Sequence, residues 1–135
     1  MAILAGSALA VARWWRRRRP FPVAVEGDSM APTLAAGDYL VATAARPGSV
    51  RRGTLVVVAH PDRPDYELIK RVAGVPGDTI GETESRMLGA GEFWVLGDDS
   101  SKSTDSRSFG PVAHRAIRGV VRLRYWPLSR AGPVP

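Results

Sequence analysis

The tightest constraint on this chain is how often it turns. From Pro20 onward, glycine, proline and aspartate punctuate the sequence, and no long amphipathic helix pattern or internal repeat appears. What lies between the turns is short and rich in β-branched and aromatic residues. Strands are predicted at 22–26, 39–44, 54–60, 66–73, 78–81, 92–96 and 119–126. A single helical turn fits within 111–117. This spacing predicts an all-β fold, one barrel-like domain over residues 20–128, followed by a disordered tail at 129–135. At 135 residues the chain can bury one modest core.

The first 19 residues are of another kind. Residues 1–12 (MAILAGSALAVA) are apolar or small throughout, and RWWRRRRP follows. A spanning helix needs roughly 20 apolar residues, so this segment is short for a complete span. Two tryptophans followed by arginines suit an apolar helix that anchors the chain at a membrane, with indoles at the headgroup level. A frayed arginine-rich tail is the plainer alternative. The same arginines account for the charge. The net charge is +6, and removing Arg13, Arg16, Arg17, Arg18 and Arg19 leaves 14 basic against 13 acidic groups. The basic character is one run rather than a basic face, which fits a membrane-flanking segment and not a nucleic-acid surface.

Cysteine is absent, which excludes disulfides, thiol nucleophiles and thiolate metal sites. The two histidines, His60 and His114, are isolated and read as surface residues, so neither a metal cluster nor any other cofactor is expected.

Three polar stretches stand out. In VEGDSMAPTLAAGDY, Ser29 follows a β-type run, with Gly27 before it and Pro32 after it. A serine at a strand-to-turn junction holds its hydroxyl out and its N–H off the ladder, as a nucleophile and oxyanion-hole donor require. An ordinary turn uses the same residues. In YELIKRVAGVPGD, Lys70 is one of only two lysines among 19 basic residues. Strand alternation puts it with Tyr66, Leu68 and Val72, and leaves Arg71 for the solvent side. A buried lysine can lose its proton where arginine cannot, and burial against Leu68 and Val72 favours that loss. A snorkelling lysine at a sheet rim is the alternative. In FWVLGDDSSKSTDSRSFG, an apolar strand runs into a dense polar loop. Ser103, Asp105, Arg107 and Phe109 alternate as in an internally bonded platform. There Asp105 or Asp98 can pair with Arg107, and Ser103 can orient a nearby amine.

In this order, GDSMAPTL, LIKRVAGVPGD and GDDSSKSTDSRSFGPV resemble the nucleophile, lysine and carboxy-terminal boxes of the signal peptidase I family, over roughly residues 25–112. The resemblance implies a Ser-Lys endopeptidase on a β-rich fold. Ser29 would be the nucleophile and Lys70 its general base. Ser103 would hydrogen-bond the lysine, and Asp105 and Arg107 would hold the loop. Gly27 and Asp28 would support an oxyanion hole containing the Ser29 N–H. Some members carry a hydroxyl where Gly27 stands, so this hole would lean on backbone. The residues between the lysine box and Phe93 are too few for the additional β-domain of larger members. The implied partners are precursor proteins with small residues before the cleaved bond. The implied place is the cell membrane, with either side open for the catalytic domain.

Other readings remain at this point. The short chain and the ending RLRYWPLSR are similar to small proteases that trim nickel-type superoxide dismutase precursors, which would place the site in the cytoplasm. A self-cleaving repressor needs a DNA-binding domain, and 28 residues before Ser29 are too few for one. A β-barrel binding module would not need Ser29 or Lys70 at all.

Overall fold

The computed structural model describes residues 2–135, with side chains from residue 6 onward. The fold is mostly β. One helix, α1 (Ala2–Arg18), leads into β1 (Phe21–Ala24), β2 (Tyr39–Ala44), β3 (Leu55–His60) and β4 (Arg63–Gly74). Next come β5 (Thr79–Ile80), β6 (Arg86–Met87) and β7 (Glu92–Leu96). A 3-10 turn (Ser100–Lys102), the one-turn helix α2 (Ser106–Phe109), β8 (Val112–Ala113), a 3-10 turn (His114–Ala116) and β9 (Ile117–Trp126) complete the body.

Seven strands form one antiparallel sheet in the order β1-β2-β9-β3-β4-β7-β8. The expected barrel-like closure is not found. β1 and β8 are the two edges, and the sheet is open. Bulges in the β2–β9, β3–β9 and β4–β7 ladders add twist and bend without joining the edges. The predicted strands are present, and the two that the sequence did not signal, β6 and β8, are only two residues long. β5 and β6 make a separate hairpin.

Apolar side chains pack in two clusters. One gathers Val56, Val58, Val72, Phe93, Val95 and Ile117 with their neighbours. The other gathers Val25, Met30, Leu34, Leu40 and Leu55. β3 is buried from Leu55 to Ala59 because both its faces are covered, so it reads as a continuous apolar run rather than an alternation.

α1 ends where Pro20 removes a donor, and Arg16, Arg17 and Arg18 complement the negative end of its dipole. Among the described residues, no helix is long and apolar enough to cross a membrane. Residues 129–135, expected as a disordered tail, lie along the body. Gly132 bridges Arg124, Val134 packs against the second cluster, and the Pro135 carbonyl accepts a hydrogen bond from Arg71. The histidines are not the surface residues expected. Both are half-buried, with His60 5.5 Å from the Phe109 ring and His114 6.0 Å from the Phe93 ring.

Candidate active site

Ser29 lies on the loop between β1 and β2. Two backbone bonds zip the base of that loop, Val25 N–H to the Asp38 carbonyl (2.9 Å) and Gly37 N–H to the Val25 carbonyl (3.1 Å). Met30 and Leu34 plunge into the second cluster, so the residue after Ser29 is an anchor. Gly27 has φ +75°, a conformation open to glycine and strained for other residues. Asp38 closes the loop from inside. Fully buried, it accepts from Ala35 N–H (3.0 Å), Arg124 (3.0 Å) and Arg130. The loop thus holds its shape through apolar anchors and a buried ionic clasp, and it leaves Ser29 half-buried at a cleft.

Lys70 lies on β4 opposite Val56 of β3, and only 2% of its surface is exposed. Burial pushes its pKa below the ordinary lysine value. Asp105 opposes that effect and Arg107 adds to it. The amine donates to Ser103 Oγ at 3.1 Å. Ser103 Oγ in turn donates to Asp105 Oδ2 at 2.7 Å.

Asp105 is the centre of the third stretch. Its side chain accepts from Gly97 N–H (2.9 Å), Arg107 N–H (3.1 Å) and the Arg107 guanidinium (2.9 and 2.5 Å), and it caps α2. Burial pushes the carboxyl up, but these bonds from Arg107, Gly97 and Ser103 outweigh it and hold Asp105 well below the usual carboxylate range. Ser106 Oγ accepts from Val95 N–H (2.9 Å), which pins the loop to β7. Of the two pairings open for Arg107, the structure shows Asp105.

Ser29 and Lys70 line one cleft of about 780 Å³, as do Lys102 and Thr104. Among the described residues, the side chain of Ser29 makes no hydrogen bond, and that of Lys70 goes to Ser103. Asp28 stands beside Ser29 but points to solvent, 3.9 Å from the Lys102 ammonium.

Two kinds of comparison bear on this arrangement. The family model described as "Signal peptidase, peptidase S26" matches residues 1–88 and 81–126. The chain belongs to that family. It is therefore a serine-type peptidase. Mitochondrial inner membrane protease subunit 1 of Xenopus tropicalis is 36% identical over 121 residues, covering 83% of this chain and 72% of that protein. Mitochondrial ATP-independent inner membrane protease subunit 1b of Arabidopsis thaliana is 38% identical over 120 residues, 80% of this chain and 71% of that protein. Mitochondrial inner membrane protease subunit 2 of Danio rerio is 34% identical over 124 residues, 84% and 68% respectively.

The peptidase carries supports that the sequence did not announce. Asp98 pairs with Arg71 through two bonds (2.9 and 2.8 Å) and accepts from Thr33 Oγ1 (2.6 Å). The hydrogen bonds from Arg71, helped by that from Thr33 and by the Arg71 charge, outweigh burial and hold the Asp98 pKa below its ordinary value. One carboxylate thereby joins the Ser29 loop, the residue after Lys70, and the polar loop. Arg71 was expected to face solvent; it is half-buried because this carboxylate receives it. Gly97 is the second. A Cβ there would lie 2.2 Å from Ser103 Oγ and 2.7 Å from the Ser29 carbonyl oxygen. Asp99 N–H holds that same carbonyl at 2.9 Å. The available signal for Gly97 was a glycine at the end of a strong apolar strand, which marks a close backbone approach.

Proposed function

We propose that the chain is a Ser-Lys endopeptidase that removes amino-terminal leader segments from precursor proteins at a membrane. One observation carries this reading: a lysine amine buried beside an apolar core, oriented by Ser103, in the same cleft as Ser29. The family supports the peptide-bond chemistry, and the names of the relatives support the membrane setting.

The chemistry follows from the groups present. Neutral Lys70 takes the Ser29 hydroxyl proton as Ser29 Oγ attacks the scissile carbonyl carbon. The negative charge moves to the carbonyl oxygen. The Ser29 N–H, free of any hydrogen bond among the described residues, faces the developing oxyanion with the Gly27–Asp28 backbone beside it. The Lys70 ammonium then gives its proton to the leaving amine as the C–N bond breaks, and an ester remains on Ser29. Neutral Lys70 next takes a proton from water. Hydroxide adds to the ester, and the serine oxygen leaves with the lysine proton. Ser103 is a positioning residue, because it acts through the Lys70 amine, whose direction it fixes. Asp105 and Arg107 fix Ser103. The family resemblance further supports alanine-like small residues just before the cleaved bond.

The test uses the purified full chain, a precursor with alanine before the cleavage site, and the variants Ser29→Ala and Lys70→Ala. Each variant is expected to lower the cleavage rate by roughly 10⁴-fold or more, since nucleophile and base act as a unit. Wild-type cleavage by either folded variant ends the Ser-Lys reading.

A further inference from the structure

The carboxyl end of α1 is tied down. The Arg46 guanidinium donates to the Arg17 carbonyl, which joins the helix end to the loop between β2 and β3. Where helix, loop and β9 meet, a cavity of about 640 Å³ opens, and it shares no lining residue with the Ser29 cleft. Arg18, Arg51 and Arg122 line it, with Trp14 at its side. The Arg18 and Arg122 guanidinium groups lie 5.3 and 5.2 Å from the centre of the same Trp14 ring. Arg122 also donates to Thr43 Oγ1 at 2.8 Å, so its head is fixed.

The charge in this cavity is not balanced. Elsewhere in the fold, placed arginines meet carboxylates: Arg52 meets Asp78, Arg71 meets Asp98, Arg86 meets Glu92, and Arg124 meets Asp38. Among the described residues, no carboxylate pairs with Arg18, Arg51 or Arg122, and no acidic residue lines the cavity. Burial, and then the Arg18 charge, push the Arg122 pKa below the ordinary arginine value. Arg18 and Arg122, gathered on one indole, repel each other unless an anion joins them, and Arg51, its Nε on the Gly48 carbonyl at 3.2 Å, adds a third cation to the same lining. Guanidinium forks match the oxygens of a phosphate, which makes a phosphate group the fitting complement.

The helix indicates where that phosphate comes from. Leu9 and Val11 are 66% and 56% exposed on α1. A rise of 1.5 Å per residue sets Arg18 about 6 Å beyond Trp14 and about 14 Å beyond Leu9. Apolar or small side chains up to Ala12, then a belt of Arg13, Trp14 and Trp15, then Arg16 to Arg18, follow the order of acyl chains, headgroup boundary and phosphates across a lipid surface.

We propose that the Arg18–Arg51–Arg122 cavity binds the phosphate group of an anionic phospholipid and so seats the catalytic domain against the membrane. The site rests on none of the Ser29–Lys70 chemistry.

The test is flotation of the purified full chain with phosphatidylcholine vesicles and with vesicles containing phosphatidylglycerol. The readout is the preference for anionic over neutral vesicles, which cancels apolar insertion of α1. Arg51→Gln alters an exposed side chain and keeps the fold. It is expected to lower the preference about fivefold, and Arg51→Gln with Arg122→Gln about thirtyfold, from the usual attraction per cation near an anionic surface. Arg115→Gln with Arg118→Gln removes equal charge at exposed positions outside the cavity and is expected to change the preference less than about threefold by the same rule. Three outcomes overturn the proposal. The wild type shows no preference, or Arg51→Gln leaves the preference unchanged, or both double variants weaken it equally. Calorimetry with inorganic phosphate separates the sources. Phosphate binding that depends on Arg51, without any vesicle preference, assigns the cavity to a soluble anion and refutes the lipid.

Discussion

Replacing Gly97 by alanine tests how the proposed site is assembled. The added Cβ would stand 2.2 Å from Ser103 Oγ, 2.5 Å from Ser103 Cβ and 2.7 Å from the Ser29 carbonyl oxygen. Non-bonded heavy atoms settle near 3.5 Å, so roughly 1 Å of relief is needed. The Ser29 carbonyl is held by Asp99 N–H, and Ser103 is held by both Lys70 and Asp105. Whichever side yields, the relation between Ser29 and the Lys70 amine changes. Overpacking of this kind costs about 1–3 kcal/mol of stability. A misplacement of about 1 Å costs on the order of 10²-fold in rate. We therefore expect Gly97→Ala to remain folded in urea titration, with a modestly lower midpoint, while kcat on a peptide substrate falls about 100-fold. Gly74→Ala serves as the control. Its Cβ would press 2.9 Å against Cδ1 of the buried Leu88 and 3.1 Å against Trp94 Cβ, away from the cleft residues, and is expected to cost stability without touching kcat. The reasoning is refuted if Gly97→Ala keeps kcat within about threefold of wild type, well inside that expected loss.

Arg107→Gln should shift the pH profile of kcat/KM to higher pH. Arg107 lowers the Lys70 pKa directly, and its loss also leaves Asp105, which raises that pKa, without its countercharge. An acid limb that stays in place or moves to lower pH contradicts this. Asp38→Asn should destabilise the fold by about 3–5 kcal/mol in denaturant titration, because Arg124 loses its partner in a buried setting. A loss below about 1 kcal/mol would show the clasp to be dispensable. Asp105, held below the ordinary carboxylate range, stabilises the fold at and above the unfolded value of about 4, and that contribution fades as pH falls below it. Wild-type stability should therefore drop on acidification, and Asp105→Asn should be less stable at neutral pH with a flatter acid limb. Parallel acid limbs for the two proteins would remove Asp105 from this account.

What the sequence made legible was whatever is local. Strands β1 to β4, β7 and β9 could be read from their own composition, since β-branched runs between turn residues need no partner to be recognised. Strand alternation placed Lys70 on the apolar face with Leu68 and Val72, but whether its amine is buried or reaches out at a rim was left to the tertiary fold. Asp105 with Arg107 was legible as one of two pairings, since a carboxylate at a helix start two residues before an arginine bonds within a single turn. Long-range partnerships were not legible. Asp98 lies 27 residues from Arg71 and 65 from Thr33, and nothing near any of the three names the others. Asp38 with Arg124 spans 86 residues. Barrel closure failed as an expectation for the same reason. Strand count is a local property, whereas closure depends on whether β1 and β8 reach each other across the whole sheet.

On the proposed reading, the polar loop solves a conflict between orientation and charge. A base lysine must be aimed, and a carboxylate is the strongest way to aim an amine. A bare carboxylate touching Lys70 would hold it protonated and so disable it as a base. The structure separates the two effects. Ser103 stands between amine and carboxylate, passing direction along two hydrogen bonds while keeping the negative charge one hydroxyl away. Arg107 then offsets part of that charge, and its own field works in the same direction as burial. Asp105 can therefore bind Ser103 as a fully charged carboxylate while its pull on the Lys70 proton stays weaker than the effect of burial. The serine and the arginine have complementary tasks, so removing them should give different signatures. Loss of Ser103 disorders the amine and lowers kcat across the pH range, whereas loss of Arg107 leaves the amine aimed and moves the profile.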